Sequence, residues 1–407
     1  MAGADYSPAV CKAVDESASR LRQLSMDLWN NPELAFKEVK SHDLLTWFLE
    51  ERGLKVQRKY LLDTAFRAEA VAPGKNDGPT VCLMAEYDAL PEIGHGCGHN
   101  LIAEASMGAA VGVTEAMKNF NTIGGKLVVL GTPAEESAGG KVLLLEKGAF
   151  KDIDVALMAH PGLQDGLKMH VNARRQLNVR YEGKAAHGSD SPWEGLNAQD
   201  AAVAAYINMS MLRQHTKPAD RILGVVKQFG ERANDISESS KLVYHVRAPK
   251  DTEKDALVAR AEKCFQAAAR ATGCGFDIDK GMEYKELIHN EVLIETYRKY
   301  GEALGVSFAD ALPGVTIRTG GSTDAGNVSY VLPTLHASFG IGGGGSAVHH
   351  TRAFAKAAAT DDAHQAALRV AKILALTALD LMSDPELMAR ARSDFETWKV
   401  ARGAPCK

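Results

Sequence analysis

Within Ala85–Asn100, AEYDALPEIGHGCGHN, the chain places Asp88, His95, Cys97 and His99 among Gly and Pro residues that force turns. Cys97 and His99, two apart on one short loop, can bind the same ion or two adjacent ions. A thiolate with an imidazole is the pairing that borderline-soft cations such as zinc prefer. The motif alone also describes a buried Cys and a core His flanking a glycine turn. Further along, Glu135-Glu136, His160 and the pair His349-His350 add donors of the same kind. Adjacent glutamates are usually a solvated turn, but these follow an apolar run and a Pro, where idle charge is costly. Neighbouring residues at a strand end point in different directions. One carboxylate can then bind a cation while the other takes a proton from a water, as metal-assisted hydrolysis requires.

The elements that must position these residues read as follows. Residues 8–53 carry helical periodicity, and 66–72 and 80–85 read as strands, separated by a hairpin or loop signal at 73–78. A helix follows over 101–120, a strand over 126–130, a helix over 139–150 and a strand over 155–158. This alternation implies a mostly parallel sheet flanked by helices. Asp88, Glu135-Glu136 and His160 each fall just past the C-terminal end of an apolar strand. That is where ligand crevices form in open α/β sheets. Three such strand ends and the Cys97/His99 loop are expected to converge in space.

The texture changes near residue 170. A strand at 175–182, a helix at 197–214, strands at 221–229 and 240–248, a helix at 252–271 and a strand at 275–279 give β-α-β-β-α-β order. That order describes a ferredoxin-like α+β unit inserted in an α/β domain. The expected division is 1–172 and 288–407 for the catalytic domain and 173–287 for the inserted lid. His187 lies on a loop of the lid, where it can serve as an oxyanion donor or be a plain loop histidine. In the last part come a helix at 290–304, a strand at 334–339, the glycine run 340–345 and a helix at 360–382. The glycine run lacks a following Lys-Ser/Thr and reads as a loop, not a phosphate cradle.

With 407 residues, 45% hydrophobic and 24% charged, the composition is that of a globular protein with an ample core. A net charge of −4 leaves no basic surplus for nucleic acid or an anionic membrane surface. No apolar run reaches the roughly 20 residues that span a bilayer. The start, MAGADYSPAV, lacks the features of a signal peptide. Six cysteines without scaffold spacing (11, 82, 97, 264, 274 and 406) read as reduced thiols, which implies the cytoplasm, with the nucleus as a second location.

The motifs EYDALPEIGHGCGHNLIAE, VVLGTPAEE, MAHPG, PWEGLNAQDAA, VYHVRAP, GSTDAGNVSYV and HTRAF together resemble the M20 metallopeptidases. They are similar in particular to the amidohydrolase branch, in which a cysteine replaces the bridging aspartate. The resemblance spans roughly 15–395. It implies two divalent ions bridged by Cys97, with His99 and Glu136 on one side and His160 and His350 completing the set. It also implies Glu135 as general base and proton donor, and His187 as the lid histidine that stabilises the tetrahedral intermediate. Asn234, Arg247 and the loop Gly321, Ser322, Thr323 would hold the substrate's carbonyl and carboxylate. The implied cofactor is zinc, with manganese or cobalt as alternatives, and the implied assembly is a homodimer through the lid. The implied substrates are dipeptides, β-alanyl or γ-aminobutyryl ones of lysine or ornithine. Hydrolysis of p-aminobenzoyl-glutamate or another N-acyl amino acid is the alternative, and a non-catalytic binding protein a second. Gly188, Asp190 and Ser237 depart from the family pattern in the lid.

Overall fold

The computed structural model describes residues 5–74, 77–312, 315–344 and 347–402; Cys406 and Gly345 fall outside them. In chain order come helices α1 (Ser7–Glu16), α2 (Ala18–Asn30) and α3 (Val39–Glu51), then strands β1 (Lys55–Arg58), β2 (Phe66–Val71) and β3 (Thr80–Ala85). Next are α4 (His99–Asn119), β4 (Lys126–Gly131), the short α5 (Glu135–Ala138), α6 (Gly140–Glu146) and β5 (Val155–Gly162). A two-residue β6 (Met169–His170) precedes β7 (Ala173–Glu182), α7 (Ala198–Arg213), β8 (Arg221–Gln228), β9 (Ser239–Ala248), α8 (Asp251–Thr272) and β10 (Gly275–Tyr284). The chain closes with α9 (Glu291–Ala303), β11 (Ile317–Arg318), α10 (Ala325–Ser329), β12 (Thr334–Gly340), α11 (Arg352–Ala357), α12 (Asp361–Ser383) and α13 (Pro385–Ala401). No helix of the described residues is long and apolar enough to cross a membrane.

Two compact units emerge. The first comprises residues 1–169, 287–318 and 327–407, and the second residues 170–286 and 319–326. The loop carrying Gly321–Thr323 thus belongs to the second unit.

The first unit holds a six-stranded sheet in the order β1-β2-β4-β3-β5-β12. Strands β4, β3, β5 and β12 run parallel, while β2 and β1 are antiparallel additions at one edge. Strand β3 is buried at every position because helices cover both faces of the parallel part. Strand β2 pairs with β4, and β4 lies between β2 and β3; residues 75–76 of the loop signal at 73–78 fall outside the described residues.

Helix α4 is apolar nearly all round and therefore sits inside the core. Its Gly108 permits that position, since a Cβ there would lie 2.8 Å from Ala371 Cβ on α12. Gly98, at φ 77°, turns the loop into α4; a side chain there would meet Pro161 Cγ at 2.6 Å. His99 is in consequence the first residue of the helix, which is buried along most of its length.

The second unit is a four-stranded antiparallel sheet, β10-β7-β9-β8, covered by α7 and α8. Its core, with Tyr181, Ala201, Ala205, Tyr244 and Phe265, is separate from that of the first unit. The β-α-β-β-α-β order expected from the sequence is the order found.

Candidate metal centre

The C-terminal ends of β3, β4 and β5 deliver Asp88, Glu135-Glu136 and His160, and the turn into α4 delivers Cys97 and His99. Ligand atoms of Cys97, His99 and His160 lie within 4.8 Å of one another, and so do those of Cys97, Glu136 and His350. The two triples share only the sulfur. His99 Nε2 and Glu136 Oε1 are 3.8 Å apart, so the expected neighbours are close. One triple sets His99 with His160 and the other Glu136 with His350. Glu135 is buried beside His99 and Glu136 in a third such group.

Each ring is held from behind. His99 Nδ1 meets Asp88 Oδ1 at 3.1 Å, leaving Nε2 for an ion, and the other oxygen of Asp88 accepts from Glu136 N at 3.0 Å. His160 Nδ1 meets the Pro161 carbonyl at 2.8 Å, and its Nε2 is 3.5 Å from Cys97 Sγ. Such partners fix ring orientation and raise ligand basicity. His349 and His350 differ in their surroundings. His349 Nε2 is engaged by the Pro161 carbonyl at 2.8 Å and its ring packs on Phe354, whereas His350 Nε2 faces Glu136 Oε2 at 3.3 Å.

Two residues here hold left-handed backbone without being glycine: Ala134 at φ 62° and His350 at φ 64°. Such positions cost on the order of 1–3 kcal/mol and persist only when the surroundings over-determine them. His350 N donates to Gly96 O at 2.9 Å, and Ala134 N to Glu38 Oε1 at 3.0 Å. Glu135 and Glu136 follow Ala134 directly and begin α5.

The electrostatics favour cations. Burial pushes the Cys97 thiol well above its ordinary value, and Glu136 beside it adds to the shift, so a thiolate here needs positive charge nearby. Burial opposes ionisation of Glu136 as well, but His350 and His99 hold its pKa down at about 2. His99 Nε2 and Glu136 Oε1 are buried without a hydrogen-bond partner. Orphaned atoms of this kind in a sulfur, nitrogen and oxygen donor set fit a pair of divalent ions. A further acidic group, Asp251, Asp255 and Glu283 in the second unit, gathers around Lys254 and is an ion-pair network.

The other sequence-derived positions lie in the second unit. His187 is exposed, its Nδ1 accepting from Ser189 N at 3.2 Å and Asp190 N at 3.1 Å. Gly188 N donates to Asn234 O at 2.6 Å, so the structure brings His187 and Asn234 onto adjoining loops. The departure at Gly188 has a steric reason: a Cβ there would lie 2.9 Å from Asn234 O. Arg247 Nη1 donates to Gly320 O at 2.7 Å, which joins it to the loop of Gly321, Ser322 and Thr323. Sequence reasoning missed Glu38, Glu86, Lys141 and His336, all buried in the first unit. Glu86 carried a signal, two residues before Asp88 and therefore on the same side of an extended chain. Lys141, beside two glycines, carried none.

Fold and candidate donor set together point to a metal-dependent hydrolase of the α/β kind with an inserted α+β unit. The model of peptidase family M20/M25/M40 matches residues 82–375, and the chain belongs to this family. It is 44% identical over 392 residues to the Xaa-Arg dipeptidase of Mus musculus, covering 94% of this chain and 90% of that one. It is 30% identical over 289 residues to a p-aminobenzoyl-glutamate hydrolase polypeptide of Escherichia coli, covering 65% of this chain and 59% of that one. Among solved structures, a dinuclear metal-binding M20 peptidase from Bacillus subtilis superposes with a TM-score of 0.67 at 19% identity, over 90% of this chain and 99% of that one. The chain is thus an M20 metallopeptidase of the dipeptidase and amidohydrolase kind.

Proposed function

We propose that the protein hydrolyses the amide bond of dipeptides that end in a basic residue, using two divalent ions held by Cys97, His99, Glu136, His160 and His350. The observation that carries this is the pair of donor triples sharing Cys97, with Glu135 buried beside them. The basic preference is supported by the 44% identity to an enzyme named for arginine dipeptides. Lysine and ornithine, joined to β-alanine or γ-aminobutyrate, share the same positive end. Zinc suits the donor set best, ahead of manganese and cobalt.

Bound ions supply Lewis acidity and lower the pKa of water. The chain does the rest. Glu135 takes the proton of the attacking water and hands it to the leaving amine. Asp88 and the Pro161 carbonyl keep the His99 and His160 rings aimed. Arg247 and the Gly321–Thr323 loop take the substrate's carboxylate, Asn234 its carbonyl, and His187 donates to the oxyanion.

A homodimer is the assembly we infer. Val203, Tyr206, Ile207 and Met211 form one exposed apolar stripe on α7. The edge strand β8 exposes Leu223 and Val225 on one face. An edge strand beside an apolar helix stripe matches a second copy of the same surface. A panel of arginine-, lysine- and ornithine-ending dipeptides and p-aminobenzoyl-glutamate, with zinc, manganese and cobalt added back after chelation, tests the reading. Faster turnover of p-aminobenzoyl-glutamate would favour the alternative, which the Escherichia coli relative supports.

A further inference from the structure

Glu86 follows β3 and, like His99, has no exposed surface. Its Oε1 is held by Lys141 Nζ, which is equally buried at the start of α6. Its Oε2 is buried without a hydrogen-bond partner and stands 3.4 Å from His99 Nε2. That nitrogen is also orphaned, because Asp88 engages the ring through Nδ1. Glu136 Oε1, 3.8 Å from the same nitrogen, is the third atom in this condition. Glu86 Oε2 and Glu136 Oε1 therefore each approach His99 Nε2, and none of the three atoms has a hydrogen-bond partner. A buried polar atom without a partner is costly, and a cation beside His99 Nε2 relieves that cost for His99 and for the carboxylate that reaches it.

His99 and Glu136 already belong to the donor set, but Glu86 does not. Its pairing with Lys141 explains one oxygen and leaves the other without a purpose. An ion pair buried for packing alone gains little over apolar residues of similar volume. The Glu86 carboxylate also lies within 4.8 Å of that of Glu135, the candidate general base. We propose that Glu86 is a further carboxylate of the metal centre, anchored by Lys141 so that Oε2 helps hold the cation on the His99 side. The proposal rests on the two-ion reading given above.

The test uses the full-length chain, stripped by a chelator and titrated with zinc. Ions per chain are read by elemental analysis, affinity by competition with a chromophoric chelator, and folding by melting of the zinc-free form. E86Q keeps the shape and a hydrogen bond to Lys141 while removing the charge. It should weaken one of the two ions about 10–100-fold, the range for supporting carboxylates. E86D, which restores the charge, should recover part of the loss. A lowered zinc-free melting temperature with unchanged zinc affinity would overturn the proposal, leaving Glu86 as a counter-ion of Lys141. Should E86Q not fold, E86D carries the test alone, and wild-type affinity in E86D would overturn it. A wild-type chain that takes up no zinc would remove the two-ion reading itself, and this proposal with it.

Discussion

Glu38 Oε1 accepts a 3.0 Å hydrogen bond from the backbone N–H of Ala134, tying the start of α3 to the residue that precedes Glu135 and Glu136. Its other oxygen accepts from Thr64 Oγ1 at 2.8 Å. Burial raises the Glu38 pKa from 4.5 to about 7, with the hydrogen bond from Thr64 offsetting only part. The folded form therefore binds this proton more tightly than the unfolded form. The stabilisation is complete below pH 4.5 and is lost as pH rises through about 7. At about 1.4 kcal/mol per pKa unit, the amount is on the order of 3 kcal/mol. E38Q keeps an acceptor for Ala134 and removes the titration. Urea midpoints of wild type should fall relative to E38Q between those pH values; parallel curves would refute the assignment.

Asp88 serves His99 with one oxygen and Glu136 N with the other. D88N should leave the fold intact and lower zinc affinity about 10–100-fold, since a supporting carboxylate sets ring orientation and basicity. Equilibrium zinc titration measures it, and an unchanged dissociation constant would count against the role.

For Glu135 the expectation separates binding from chemistry. E135Q should retain both ions while kcat drops about 10²–10⁴-fold, the usual contribution of a positioned proton-transfer group. Loss of an ion together with activity would make Glu135 a ligand.

The apolar stripe of α7 and the edge of β8 carry the dimer inference. I207D or L223D should convert a dimer to a monomer in sedimentation velocity at micromolar concentration. A monomeric wild type would remove the basis for it.

Much of this was legible in the sequence because apolar runs and chemical residues alternate on a fixed plan. The runs ending before Asp88 and Glu135 are buried parallel strands, as is β5, which continues through His160 to Gly162, and such strands place their C-terminal ends side by side. The inserted unit showed in its element order. Less could be read where pairing is non-local. Nothing near residues 73–78 indicates that β4 comes between β2 and β3. Lys141 and Glu86 are 55 positions apart, and only the fold makes them a buried pair. The left-handed backbone of Ala134 was equally invisible, since alanine gives no sign of it.

The central claim is that one sulfur serves two cations, and metal content after chelation and reloading tests it most directly. Wild type should return to two ions per chain, C97A should lose both, and H160A and H350A should each lose one. Two ions retained by C97A, or a wild type that never holds more than one, would contradict the account.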